Sequence, residues 1–157
     1  MDSLVCILTF CFGATLMNNN SAIQLAKLSG FSTIATTASE SNHKLVTSLG
    51  ATHVFSRSAS AANIKSAIGP IKLGFDAIAT PETQVLDLQV LERAEDSNLI
   101  VVREPTQETK NDAAPIKARW TRGSSVRTKD ILVPFWVAVE GWLKDGVSEF
   151  TSRRFTF

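Results

Sequence analysis

The sequence predicts an α/β fold, a doubly wound parallel sheet with helices on both faces forming a single domain. Three observations lead there. The run Leu4 to Phe12 is continuously apolar rather than alternating, as a strand covered on both faces should be. Gly30 and Gly50 punctuate two successive helix patterns at the same interval, each followed by a short apolar run that reads as a strand. Strand and helix patterns then keep alternating, which implies right-handed crossovers and parallel strands.

In chain order, Leu4 to Phe12 is the first strand, at the centre of the sheet. Asn18, Asn19 and Asn20 offer side-chain oxygens to cap a helix, Ala22, Ile23, Leu25 and Ala26 supply its buried side, and Gly30 supplies the left-handed stop. Phe31 to Thr37 is the second strand. The cycle repeats with Ser41 as cap, Leu45, Val46 and Leu49 as the buried face, Gly50 as the stop and His53 to Phe55 as strand three. Ile64 to Ile68 is helical, Gly69 and Pro70 turn the chain, and Leu73 to Ile78 is strand four. Pro81 opens the next helix in its first turn, with Val85, Leu88 and Leu91 buried, before Leu99 to Val102 as strand five. Arg103 to Ala114 is polar with two charge clusters and no period, so it reads as a loop, and Ile116 to Thr121 reads as a sixth strand. Asp130 to Asp145 reads as a helix whose Phe135, Trp136, Val139, Trp142 and Leu143 form one stripe of core packing, with Pro134 tolerated only near its first turn. Residues 1–102 are thus expected to form the Rossmann-like core, the candidate for nucleotide binding, and residues 103–157 add a loop, a strand and an amphipathic helix that complete the same domain.

The 157 residues are 44% hydrophobic and 20% charged, enough for one ordinary core. A formal net charge of +1 with scattered basic residues argues against nucleic acid as a partner. Cys6 and Cys11 have odd spacing and should point to opposite faces of a strand, so no disulfide is expected and a reducing, cytoplasmic setting fits. Leu4 to Met17 imitates the apolar core of a signal peptide, but its leading charge is Asp2. It also falls short of the roughly 20 apolar residues a membrane helix needs, so no membrane association is expected. His43 and His53 form no ligand cluster, and no cysteines have zinc spacing, so no metal is expected.

A nucleotide site on such a sheet needs a tight strand-to-helix turn, where backbone approaches pyrophosphate and a helix N-terminus faces the negative charge. The candidate is Gly13-Ala14-Thr15-Leu16-Met17-Asn18-Asn19-Asn20, a weak signal by itself, with one glycine and no side-chain donor on Leu16 or Met17. An acid about 20 residues beyond the glycine turn would hold the ribose diol of NAD. Here stand Thr36, Thr37 and Ala38, followed by Ser39, Ser41, Asn42 and Lys44, donors suited to a 2′-phosphate. NADPH is therefore preferred over NADH, although Glu40 opposes that by charge unless it points to solvent, and a plain polar helix cap would use the same residues. Arg57, after strand three, either pairs with a phosphate or is solvated. Asp76, at the end of strand four, reads as structural. No triad can be proposed from spacing, so no catalytic residue is assigned.

The segment Ala22-Ile23-Gln24-Leu25-Ala26-Lys27-Leu28-Ser29-Gly30, the turn Ser39-Glu40-Ser41-Asn42 and the helix end Leu45-Val46-Thr47-Ser48-Leu49-Gly50-Ala51 resemble the nucleotide domain of zinc-free medium-chain dehydrogenase/reductases. The likeness is to the fungal trans-acting enoyl reductases that serve polyketide synthases. It is dense from Ser21 to Gln84 and thins toward Val102. The resemblance implies a Rossmann-like sheet and an NADPH cofactor, with Ser39 and Asn42 at the 2′-phosphate. It also implies a polyketide synthase partner presenting a carrier-bound enoyl thioester in fungal secondary metabolism. Against the family's glycine-glycine-serine-threonine-x-x-glycine turn, Ala14 replaces the second glycine and Asn19 the last. Glu40 stands for a proline, and Ser56-Arg57 for a tyrosine that lines the cofactor site. Family members carry a substrate domain before this one and a further strand and helix after it, so the chain is expected to be truncated at both ends. Two alternatives stay open: a degenerate, non-catalytic remnant, and a relative of the quinone oxidoreductases.

Overall fold

The computed structural model describes residues 5–9, 16–121 and 129–146. The elements are β1 Val5–Thr9, α1 Leu16–Leu28, β2 Thr33–Ala38, α2 Glu40–Leu49, β3 His53–Ser56 and α3 Ala61–Ile68, then β4 Leu73–Asp76, α4 Pro81–Val90, β5 Asn98–Val101, α5 Gln107–Asp112, β6 Lys117–Trp120 and α6 Lys129–Lys144. They fall into two compact units, Met1–Thr121 and Arg122–Phe157.

The first unit is one six-stranded sheet in the order β3-β2-β1-β4-β5-β6, with every adjacent pair parallel. It is the doubly wound, Rossmann-like arrangement that the alternation predicts. Because successive residues of a strand face opposite sides, Ile34 and Ala38 of β2 enter a core with Ile23, Ala26, Val46 and Leu49, under α1 and α2. Ala35 enters the other core, with Ile64, Leu88, Leu91 and Leu99, under α3 and α4. The two glycine stops behave alike. Gly30 has φ +83 and lets Phe31 N–H reach the Ala26 carbonyl at 3.1 Å, while Gly50 has φ +124 and lets Ala51 N–H reach the Val46 carbonyl at 3.0 Å.

Several local expectations are corrected. α1 starts at Leu16, so Asn18, Asn19 and Asn20 lie inside the helix rather than capping it. The N-cap of α2 is Ser39, not Ser41. Leu45 is 40% exposed, because Val46 and Leu49 alone supply the buried face of α2. Within the polar stretch from Arg103 to Ala114, a short helix forms where a loop was expected. Thr106 caps it, accepting from Thr109 N–H at 3.1 Å, and the Thr109 side chain is fully buried.

In the second unit, α6 begins at Lys129, which leaves Pro134 inside the helix rather than at its start. The expected stripe is only partly buried. Val139 is buried and the Phe135 and Trp142 rings meet edge to face at 6.3 Å, but Trp136 is 63% and Leu143 49% exposed.

Candidate functional site

In an open parallel sheet a ligand binds outside the carboxyl ends of the strands, where the strand order reverses. Here that point lies between β1 and β4. Register builds the edge in two parts. Thr9 pairs with Asp76, Asp76 with Val101 and Val101 with Trp120, which aligns four strand ends in one row. Ala38 pairs with Ser56, so the segments leaving β2 and β3 start side by side.

That second pairing brings Ser39, Glu40, Ser41 and Asn42 to the same corner of the edge as Arg57. Ser39 occupies the N-cap position of α2, yet its hydroxyl makes no capping bond and lies 3.1 Å from Ser41 Oγ. Ser39 thus holds the place of a cap while its hydroxyl meets a neighbouring side chain rather than the helix backbone. The Asn42 N–H is taken by the Ser39 carbonyl at 2.8 Å, the first bond of the helix. His43 folds back so that Nε2 sits 3.2 Å from the Ala38 carbonyl, tying the helix start to the strand end. Glu40, Ser41 and Lys44 are exposed, and Asn42 and Arg57 are half-buried. Leu16, Met17 and Asn18 form the first turn of α1, while Gly13 and Thr15 lie outside the described residues.

On the other side of the switch point the arrangement depends on contacts that local sequence patterns do not mark. Asp76 is fully buried and closes the turn after β4. Its Oδ1 accepts from the N–H groups of Ile78 and Ala79, both at 2.8 Å, and its Oδ2 accepts from Thr83 Oγ1 at 2.6 Å. With three donors committed to it, Asp76 holds backbone. The turn needs holding because Ala79 adopts φ +56, a left-handed conformation unusual for a residue with a side chain. Thr80 caps α4 through a reciprocal capping box with Thr83, and Pro81 supplies the preset first turn. Glu82, exposed in that first turn, is held below its ordinary 4.5 by a hydrogen bond from its own backbone N–H and then by the Thr80 hydroxyl.

Gln84 was not singled out by its sequence context, because a glutamine between apolar helix positions reads as solvent-facing. It is fully buried. Its Nε2 donates to the Ala79 carbonyl at 3.2 Å and its Oε1 accepts from Thr106 N–H at 3.0 Å. Among the described residues no group of three or more His, Cys, Asp or Glu could hold a metal ion, and no helix is long and apolar enough to cross a membrane.

Comparison with known proteins agrees with this architecture. Over 75 residues, 46% of this chain and 22% of the relative, the chain is 41% identical to the trans-enoyl reductase himH of Aspergillus japonicus. It therefore spans about a fifth of that reductase. The Escherichia coli quinone oxidoreductase, solved in complex with NADPH, superimposes with a TM-score of 0.71 at 16% identity, over 94% of this chain and 47% of that one. The CurK enoyl reductase superimposes with a TM-score of 0.68 at 14% identity, over 93% of this chain and 45% of that one. At such identities the two structures establish the shared fold. The model of the zinc-binding dehydrogenase family matches residues 20–131, well over half of the chain. The chain belongs to the zinc-binding dehydrogenase family, and its sheet has the Rossmann-like fold that those reductases share.

Proposed function

We propose that this chain binds NADPH along the carboxyl edge of its sheet and supplies the cofactor half of an enoyl reductase. That enzyme would act in trans on thioesters held by a fungal polyketide synthase. The observation that carries the substrate class is the 41% identity to a trans-enoyl reductase over 75 residues.

The residues present fit a phosphorylated dinucleotide. The edge offers the N-terminus of α1, which begins at Leu16 beyond β1, for the pyrophosphate. At the corner beyond β2, the Ser39 hydroxyl is not consumed by capping, and Ser41, Asn42 and Arg57 share that corner. These are donors for a 2′-phosphate, and Glu40, the acid among them, is exposed on the first turn of α2. Bound there, NADPH would supply the hydride that reduces the β-carbon of a thioester-conjugated alkene. The chain's own part is to hold the adenosine end at the β2–β3 corner and to present a rigid wall beyond β4 and β5.

The test is a calorimetric titration of the purified chain with NADPH and NADH. Binding of NADPH in the micromolar range, tighter than NADH and weakened at least tenfold by Ser39→Asp, is expected, since a carboxylate at that cap would repel a 2′-phosphate. Absence of NADPH binding at millimolar concentration would refute the proposal.

A further inference from the structure

Beside the carboxyl edge of the sheet lies a buried polar side chain that belongs to neither a cap nor the surface. Gln84 lies in the second turn of α4, is fully buried, and has each end of its amide matched to a backbone partner of the opposite kind. The nitrogen meets the Ala79 carbonyl at 3.2 Å and the oxygen meets the Thr106 N–H at 3.0 Å. Ala79 is the left-handed residue of the turn after β4, and Thr106 is the cap of α5 in the segment after β5. Thr106 lies 22 positions beyond Gln84 in sequence, so nothing local ties its segment to the turn after β4. The matching is also specific. A carboxylate could keep the Thr106 bond and would oppose the Ala79 carbonyl, and a thioether would keep neither.

We propose that Gln84 is a positioning residue that joins the turn after β4 to the segment after β5, so that the wall on that side of the switch point shifts as one piece. The link to a bound nucleotide rests on the NADPH reading above, whereas the coupling itself does not. A buried amide is costly unless both ends are paired, so each of the two bonds contributes to holding the joint.

The experiment is nuclear magnetic resonance on the full chain. In the wild type, a scalar coupling across the hydrogen bond is expected between Thr106 nitrogen and the Gln84 side-chain carbonyl carbon. In Gln84→Met the Thr106 amide should exchange with solvent at least about tenfold faster, while the Leu99 and Val101 amides of β5 stay as protected as before. Gln84→Glu, which retains an acceptor, should keep Thr106 close to wild-type protection. Saturating NADPH should slow exchange at Ile78 and Thr106 together in the wild type and independently in Gln84→Met, a signature that a merely structural glutamine would not give. Absence of the coupling in the wild type overturns the proposal even if Gln84→Met fails to fold. Unchanged Thr106 exchange in a folded Gln84→Met overturns it as well. If the wild type ignores NADPH while the coupling and the exchange response are present, the joint stands and the cofactor reading falls.

Discussion

Replacing Asp76 separates a backbone-holding role from any other. In Asp76→Ala the N–H groups of Ile78 and Ala79, each bonded at 2.8 Å in a buried turn, lose their acceptor. The Thr83 hydroxyl keeps the Thr80 carbonyl at 3.0 Å as an alternative. The two orphaned donors, that of Ala79 buried and that of Ile78 half-buried, cost about 1–3 kcal/mol each, or about 4 kcal/mol together. Releasing Ala79 from φ +56 returns about 1 kcal/mol of backbone strain, which leaves a net loss of about 3 kcal/mol. Asp76→Asn should behave differently. Its amide oxygen still accepts both N–H groups, and its nitrogen donates to Thr83 Oγ1, which passes its own proton to the Thr80 carbonyl, so the loss should be about 1 kcal/mol. In urea unfolding followed by far-ultraviolet circular dichroism, with a slope of about 2 kcal/mol per molar, the alanine variant should unfold about 1.5 M earlier and the asparagine variant about 0.5 M earlier. An alanine variant within about 0.3 M of wild type, or an asparagine variant as damaged as the alanine one, would refute the reasoning.

Other outcomes follow from packing and charge. A Cβ added at Gly74, in the middle of β4, would stand 3.1 Å from Leu99 Cδ1 and 3.3 Å from Leu91 Cδ1, both on fully buried side chains. Gly74→Val should therefore cost about 2–3 kcal/mol by overpacking, and shortening the neighbour with Leu99→Val should recover part of it; thermal melts of the single and double variants check this. Asp96, exposed and hydrogen-bonded to Lys72, has its carboxyl held below the ordinary 3.8, by that hydrogen bond first. A carboxyl lowered in the folded state contributes stability above its unfolded pKa and loses it as pH falls through the folded one. The gap in melting temperature between wild type and Asp96→Asn should thus be small, present at pH 7, and closed as pH drops below about 4.

What the amino-acid sequence determined by itself is whatever depends on neighbours along the chain. Gly30 and Gly50 were legible as helix stops because a positive φ is open to glycine at little cost, and both hold one. The doubly wound class was legible because buried parallel strands must be apolar on both faces, and Pro81 marked the start of α4 because its missing N–H is harmless there. Tertiary structure decided the rest. That β1 lies between β2 and β4, which creates the switch point, comes from pairings between residues distant in sequence that no local pattern encodes. α5 is six polar residues without a period, and it exists because Thr106 caps it and Thr109 is buried. Ser39 reads in sequence as any helix cap, and only the geometry shows its hydroxyl without a capping bond. Gln84 looks like a surface residue until the turn after β4 and the segment after β5 close around it, because a polar side chain's burial depends on whether distant backbone groups arrive to pair with it.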